Sequence, residues 1–150
     1  MKPEHWILAA CLLAGCARTA SPPQPPDLKL GEMNCSRCGM SIDDGRFAAA
    51  RQVGGVLRLY DDAGEMFLER KQSPAADEYL WVRDYNDQKW LDGRTCRYLR
   101  GSKIRSPMGF QVAATADELA AAPLAARWGC QVLDLETLQN QWNSQEEKQP

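Results

Sequence analysis

The chain has 150 residues, 44% of them hydrophobic and 25% charged, with a formal net charge of −2. That length and mix suit one compact domain, or two small halves sharing a core, and exclude a chain too polar to fold. The near-balanced charge, with no basic stripe, excludes a nucleic-acid binder.

Residues 1–15 read as a lipoprotein signal peptide. Lys2 supplies a positive start, Trp6 to Leu13 an apolar run, and Leu13-Ala14-Gly15-Cys16 a processing site of small residues. The run is too short to span a bilayer, which takes roughly 20 apolar residues. Its final cysteine makes it look like a bacterial lipobox, so Cys16 is expected to be lipidated and to become the new N-terminus. Several acyl chains would anchor the protein firmly to a membrane. Ala17, standing where an aspartate would signal inner-membrane retention, favours the outer membrane. Removing the leader also removes His5, the only histidine, and leaves the net charge unchanged. Residues 16–29 then form a tether, in which Pro22, Pro23, Pro25 and Pro26 favour an extended, semi-rigid spacer.

The folded part is expected over residues 30–142, with 143–150 a polar tail that frays from Gln145. Phe47 to Val53 and Val56 to Tyr60 read as strands joined by a tight Gly54-Gly55 hairpin. Asp61-Asp62 caps a helix from Ala63 to Lys71, with Glu65 completing a capping box and Met66, Phe67 and Leu68 facing inward. Tyr79 to Val82, Trp90 to Asp92, Cys96 to Leu99 and Phe110 to Ala114 are further strand candidates. Thr115 and Glu118 form a second capping box for a short helix that Pro123 interrupts. Cys130 to Leu133 reads as a strand, and Asp134 caps a last helix carrying Leu135, Leu138 and Trp142. The two halves rhyme faintly, each starting at a Gly/Met turn and ending in an acid-capped helix. The fold class is therefore α+β: two small sheet-and-helix units packed into one compact domain.

The stretch with most chemistry in it is Asn34-Cys35-Ser36-Arg37-Cys38-Gly39-Met40. Cys35, Cys38 and Met40 put three soft sulfur donors on one turn, which Gly39 frees to fold back. Met108 offers a fourth sulfur from its own turn, Ser106-Pro107-Met108-Gly109. If folding joins the two turns, thiolate and thioether donors select Cu(I), whereas harder cations prefer oxygen or imidazole. Two other readings stay open for the thiols. Cys35 and Cys38 could be a redox pair, although the βαβ setting with a helix starting at the motif is missing. They could also join Cys96 and Cys130 in a four-cysteine zinc staple. Otherwise Cys96 and Cys130 are a structural disulfide or buried thiols. Asp61, Asp62 and Asp84 read as caps and terminators, Met66 and the tryptophans Trp81, Trp90 and Trp128 as core.

In order along the chain, Cys35-Ser36-Arg37-Cys38-Gly39-Met40, Arg46-Phe47-Ala48-Ala49, Leu59-Tyr60-Asp61-Asp62, Trp81-Val82-Arg83-Asp84-Tyr85, Trp90-Leu91-Asp92 and Ser106-Pro107-Met108-Gly109-Phe110 resemble the NosL family of nitrous-oxide-reductase accessory lipoproteins. The resemblance covers roughly residues 30–135. It implies paired ββα units, similar to the organomercurial lyase fold. It also implies a periplasm-facing, membrane-anchored Cu(I)-binding metallochaperone, not an enzyme, that supplies nitrous oxide reductase or its maturation machinery. Carried onto this chain, the family's Cys-Gly-Met motif is Cys38 and Met40, its Pro-Met-Gly motif contains Met108, and Cys35 matches an additional cysteine of many members. Cys96 and Cys130 depart from the family pattern. A thiol–disulfide oxidoreductase or a zinc-stapled interaction module are the alternatives, and association into a homodimer stays open.

Overall fold

A computed structural model describes residues 23–146. The signal peptide and Cys16 lie outside them. Four strands, β1 (Ala49–Val53), β2 (Val56–Tyr60), β3 (Glu78–Arg83) and β4 (Trp90–Asp92), form one antiparallel sheet in the order β2-β1-β3-β4. Helix α1 (Ala63–Gln72) links β2 to β3. A second antiparallel sheet has β5 (Arg97–Arg100) between β6 (Val112–Thr115) and β7 (Gln131–Leu133), with α2 (Glu118–Trp128) between β6 and β7 and α3 (Leu135–Glu146) following.

The two halves share a connectivity. In each, a hairpin is followed by a helix, and a third strand returns to the open side of the first. The expected pairing of turns does not follow this repeat. Met40 precedes β1, whereas Met108 lies inside the second hairpin, between β5 and β6, in the place that Gly54-Gly55 takes in the first.

Local chemistry explains most boundaries. Gly54 and Gly55 have φ of 54° and 83°, the left-handed pair that a two-residue hairpin needs to match strand twist. Asp62 is the N-cap of α1, accepting from the Gly64 N–H, and the first five residues of that helix, through Phe67, are buried. Leu68 is only half-buried. Asp134 accepts from the Thr137 N–H at 2.7 Å and so starts α3, which continues to Glu146.

Two expectations fail at α2. Its N-cap is Asp117, whose carboxylate accepts from Ala120 N–H at 2.8 Å, while Thr115 ends β6 and donates its hydroxyl to Asp117 O. Pro123 does not break the helix, which runs on to a left-handed Gly129. Proline removes the bond to the carbonyl four residues back and crowds that carbonyl. That residue is Leu119, in the first turn and with its side chain 85% exposed, where solvent can replace the lost donor.

One core joins both sheets. Tyr60, Met66 and Phe67 from the first half meet Tyr98, Val112, Leu133, Leu138 and Trp142 from the second. Phe67 stands edge-on to Tyr98, with ring centroids 5.2 Å apart. Asp84 ties the sheets at their seam: its backbone bridges to Ala114 and its carboxylate accepts from Asn86 N–H at 2.7 Å and Ala116 N–H at 2.8 Å. The tether's last residues lie on the domain, since Trp90 Nε1 donates to Pro26 O at 2.8 Å and Leu28 packs on the core.

Candidate metal centre

The Cys35–Met40 segment is a closed loop at the foot of a short antiparallel bridge between Asn34 and Ser41. Gly39 N–H donates to Cys35 O at 3.0 Å and Cys35 N–H to Met40 O at 2.8 Å. The chain can make that return because Gly39 sits at φ 77°, a region costly for a residue with a Cβ. Ser36 fastens the loop to the sheet. Its N–H donates to Leu59 O at 2.7 Å and its hydroxyl accepts from Leu59 N–H at 3.1 Å.

Two acids that follow β2, Asp61 directly and Glu65 in the first turn of α1, are brought underneath. The Cys35 thiol donates to Glu65 Oε2 at 2.7 Å, and the Cys38 thiol to Asp61 Oδ1 at 3.7 Å. Both sulfurs and one oxygen of each carboxylate lie within 4.8 Å of one another. Cys35, Asp61 and Glu65 are buried and Cys38 is half-buried, so the cluster opens to solvent on the Cys38 side. Among the described residues, no basic side chain forms an ion pair with Asp61 or Glu65.

Burial pushes the Cys35 thiol up to about 12; backbone N–H groups, that of Cys38 foremost, face the sulfur and oppose the shift, while Glu65 adds to it. Glu65 is likewise held above the ordinary carboxylate range, first by burial and then by Asp61, against the favourable contact from Cys35. Acidic donors gathered in a buried place without a basic partner suit a cation, which takes the place of their protons.

Both methionines are exposed. Met40 is on the cysteine loop and 48% exposed; Met108 is 37% exposed on the β5–β6 loop. Asp62 ties that second loop to the start of α1. One carboxylate oxygen accepts from Gly64 N–H at 2.9 Å and the other from Met108 N–H at 3.0 Å. The approach is close enough that a Cβ on Gly64 would lie 2.2 Å from Phe110. Adjacent aspartates thus serve the two loops, Asp61 the cysteines and Asp62 the Met108 turn.

Asp61 and Glu65 were hidden behind their capping role. Only Asp62 caps α1; Glu65, three positions on, spends its carboxylate on Cys35. A usable signal is Glu65 on a helix whose first turn is otherwise apolar, with Asp61 just ahead of the cap. Cys96 and Cys130 are no part of the cluster, and neither the zinc staple nor the disulfide forms. Both are free; Cys96 packs in the main core and Cys130 against the smaller cluster around Leu99. Met33 is half-buried, its carbonyl taking Ile42 N–H at 2.9 Å.

The NosL family profile matches residues 30–143, most of the chain and all of the site. The chain belongs to the NosL family. A solved structure described as the copper chaperone NosL from Shewanella denitrificans superposes with a TM-score of 0.59 at 12% identity, over 77% of this chain and 96% of that one. At that identity the likeness establishes a shared NosL fold. No curated protein is significantly similar.

Proposed function

We propose that this NosL-family chain is an extracytoplasmic Cu(I) metallochaperone, holding its cargo through Cys35, Cys38, Met40 and Met108 and supplying it for the maturation of nitrous oxide reductase. In this reading Cys16 carries the lipid anchor and the domain faces the periplasm from the outer membrane. The observation that carries the proposal is the pair of thiols on a glycine-closed loop, gathered with two carboxylates that have no ion-pair partner among the described residues. Family membership and the name of the superposed protein support copper as the cargo.

The residues divide the work of loading. Thiolate is the binding form of cysteine, so each thiol must lose its proton. Glu65 and Asp61 already accept from those S–H groups and offer the protons a path outward. The bound ion supplies a soft centre whose ligands exchange readily. The exposed thioethers of Met40 and Met108 are then the donors a recipient can displace first.

A redox role fits less well. A nucleophilic cysteine needs a lowered pKa, and Cys35 has the reverse. One observation favours a second cargo: two thiolates and two carboxylates also make a four-donor set acceptable to Zn(II). Anaerobic titration of the reduced, leader-free protein with Cu(I) and with Zn(II), each against a competing chelator, separates the two. Copper carriage predicts one tightly held Cu(I) that Zn(II) does not displace. Displacement of Cu(I) by equimolar Zn(II) would overturn it.

A further inference from the structure

We infer that the outer edge of β2 is the docking site for an extended, acidic segment of a partner protein, which adds to the sheet beside the cysteine loop. The surface goes beyond the carrier reading and rests on it only in making the partner a metal recipient.

The hairpin register fixes which backbone groups face outward. Val53 and Val56 close a two-residue turn and form a hydrogen-bonded pair, so the bonded pairs continue at Arg51/Arg58 and Ala49/Tyr60. Leu57 and Leu59 lie between them and point their N–H and C=O groups away from β1. Leu59 confirms the assignment, because both its groups are taken by Ser36. The corresponding groups of Leu57 have no partner among the described residues. They form the next rung of a ladder whose first rung is the cysteine loop itself.

The other edges of the two sheets are shorter. β4 and β7 are three residues long, with Trp90 of β4 tied to Pro26, and β6, of four residues, is bridged at Ala114 by Asp84. β2 is five residues long, and Val56 and Leu57 are 60% and 44% exposed. An open apolar edge invites strand addition and is usually blunted by charge, proline or a bulge. None of those stands at positions 56 and 57.

The groove alongside identifies the occupant. It measures about 600 Å³ and lies between β2, the end of α1 and the loop, with Ser36, Arg37, Val56, Arg58, Glu69 and Gln72 among its walls. Arg58 pairs with Glu69 at 3.1 Å, but Arg37 reaches only the neutral Gln72, at 3.0 Å. The surplus is positive, in a chain that is net negative. Main-chain bonds at Leu57 would give affinity, and alternate acidic side chains reaching toward Arg37 would give choice of partner. Two copies of this chain joined edge to edge would instead bring both copies' Arg37 and Arg58 into one seam.

The probe is an end-capped octapeptide alternating valine and threonine with aspartate, and a control peptide with lysine replacing aspartate. Amide exchange of reduced, metal-free, isotope-labelled protein is followed by NMR. The acidic peptide should slow exchange at Leu57 at least tenfold at saturation, and the lysine peptide should not. Arg37→Glu should weaken binding at least fivefold, Leu57→Pro should abolish it, and Leu119→Lys on the far helix should leave it unchanged. Leu57→Pro removes an outward N–H that β1 does not use. The slowing at Leu57 in the unaltered chain is decisive even if that variant folds poorly. Unchanged Leu57 exchange, equal binding of both peptides, or slowing with protein concentration alone, which would indicate a second copy, would each overturn the docking site. Because no metal is present, such a failure leaves the carrier reading standing, and a failed Cu(I) titration leaves the docking site standing.

Discussion

The N–H of Met108 donates to the carboxylate of Asp62 across 3.0 Å, joining residues 46 positions apart in sequence. Asp62 is fully buried, and burial holds its carboxyl above the ordinary range against donors from Ser106, Gly64, Met108 and Phe110. Replacing it leaves several N–H groups without an acceptor. Asp62→Ala should therefore cost about 2–3 kcal/mol in chemical denaturation, from a lost cap together with buried unpaired donors. It should also weaken Cu(I) binding by freeing the Met108 loop, whereas Asp134→Ala, at the cap of α3, should cost about 1 kcal/mol and leave metal binding alone.

Gly64 tests the same junction from the other side. In an unencumbered helix, glycine to alanine stabilises by up to about 1 kcal/mol. Here the new methyl would meet Phe110 at 2.2 Å, so Gly64→Ala should destabilise and push the β5–β6 loop outward. Thermal unfolding with near-ultraviolet circular dichroism reads both effects.

Much of this architecture was legible in the chain, and the reasons differ from place to place. Gly54-Gly55 and Asp61-Asp62 marked the first hairpin and α1 because turn and cap chemistry act over a few residues. Pro123 misled because a proline whose lost partner, Leu119, lies in the first turn forfeits one bond and not the helix. Thr115 misled because a strand claimed it first. Asp61 and Glu65 were readable as acids but not as neighbours of the thiols, since that depends on how the Cys35 loop folds back over β2, a contact spanning 30 residues. The cysteine loop itself was legible from its spacing and Gly39. The free state of Cys96 and Cys130 was not, because their separation into two core clusters is set by tertiary packing.

Protons compete with metal at Cys35. Its thiol is moved from an ordinary 9.0 to about 12, so the folded state binds that proton more tightly than the unfolded chain does. The associated stability is complete below pH 9 and is lost as pH rises toward 12. Glu65, also raised, acts with the same sign in the carboxylate range, its contribution present at low pH and lost above its folded value. Metal-free protein should thus lose stability between pH 9 and 12, and Cys35→Ser should flatten that decline. Cu(I) affinity should run the opposite way and strengthen as pH rises from 6 to 8.

Away from the site, Arg51 and Glu78 make a buried ion pair at 2.8 Å, with Arg70 bonding the other carboxylate oxygen and Arg51 also donating to Ser73 O at 2.6 Å. Glu78→Ala leaves the Arg51 guanidinium, 3% exposed, with only Ser73 O and a 3.8 Å contact to Glu69, and should cost about 3 kcal/mol. Cu(I) stoichiometry should not change in whatever fraction remains folded.

X-ray absorption at the copper edge of the Cu(I)-loaded, reduced protein reads the donor set directly. Carriage through Cys35, Cys38, Met40 and Met108 predicts sulfur neighbours alone, with fewer of them and weaker affinity in Met108→Leu and a collapse of binding in Cys38→Ser. A copper shell of oxygen or nitrogen, or a spectrum and affinity identical in Met108→Leu, would contradict it.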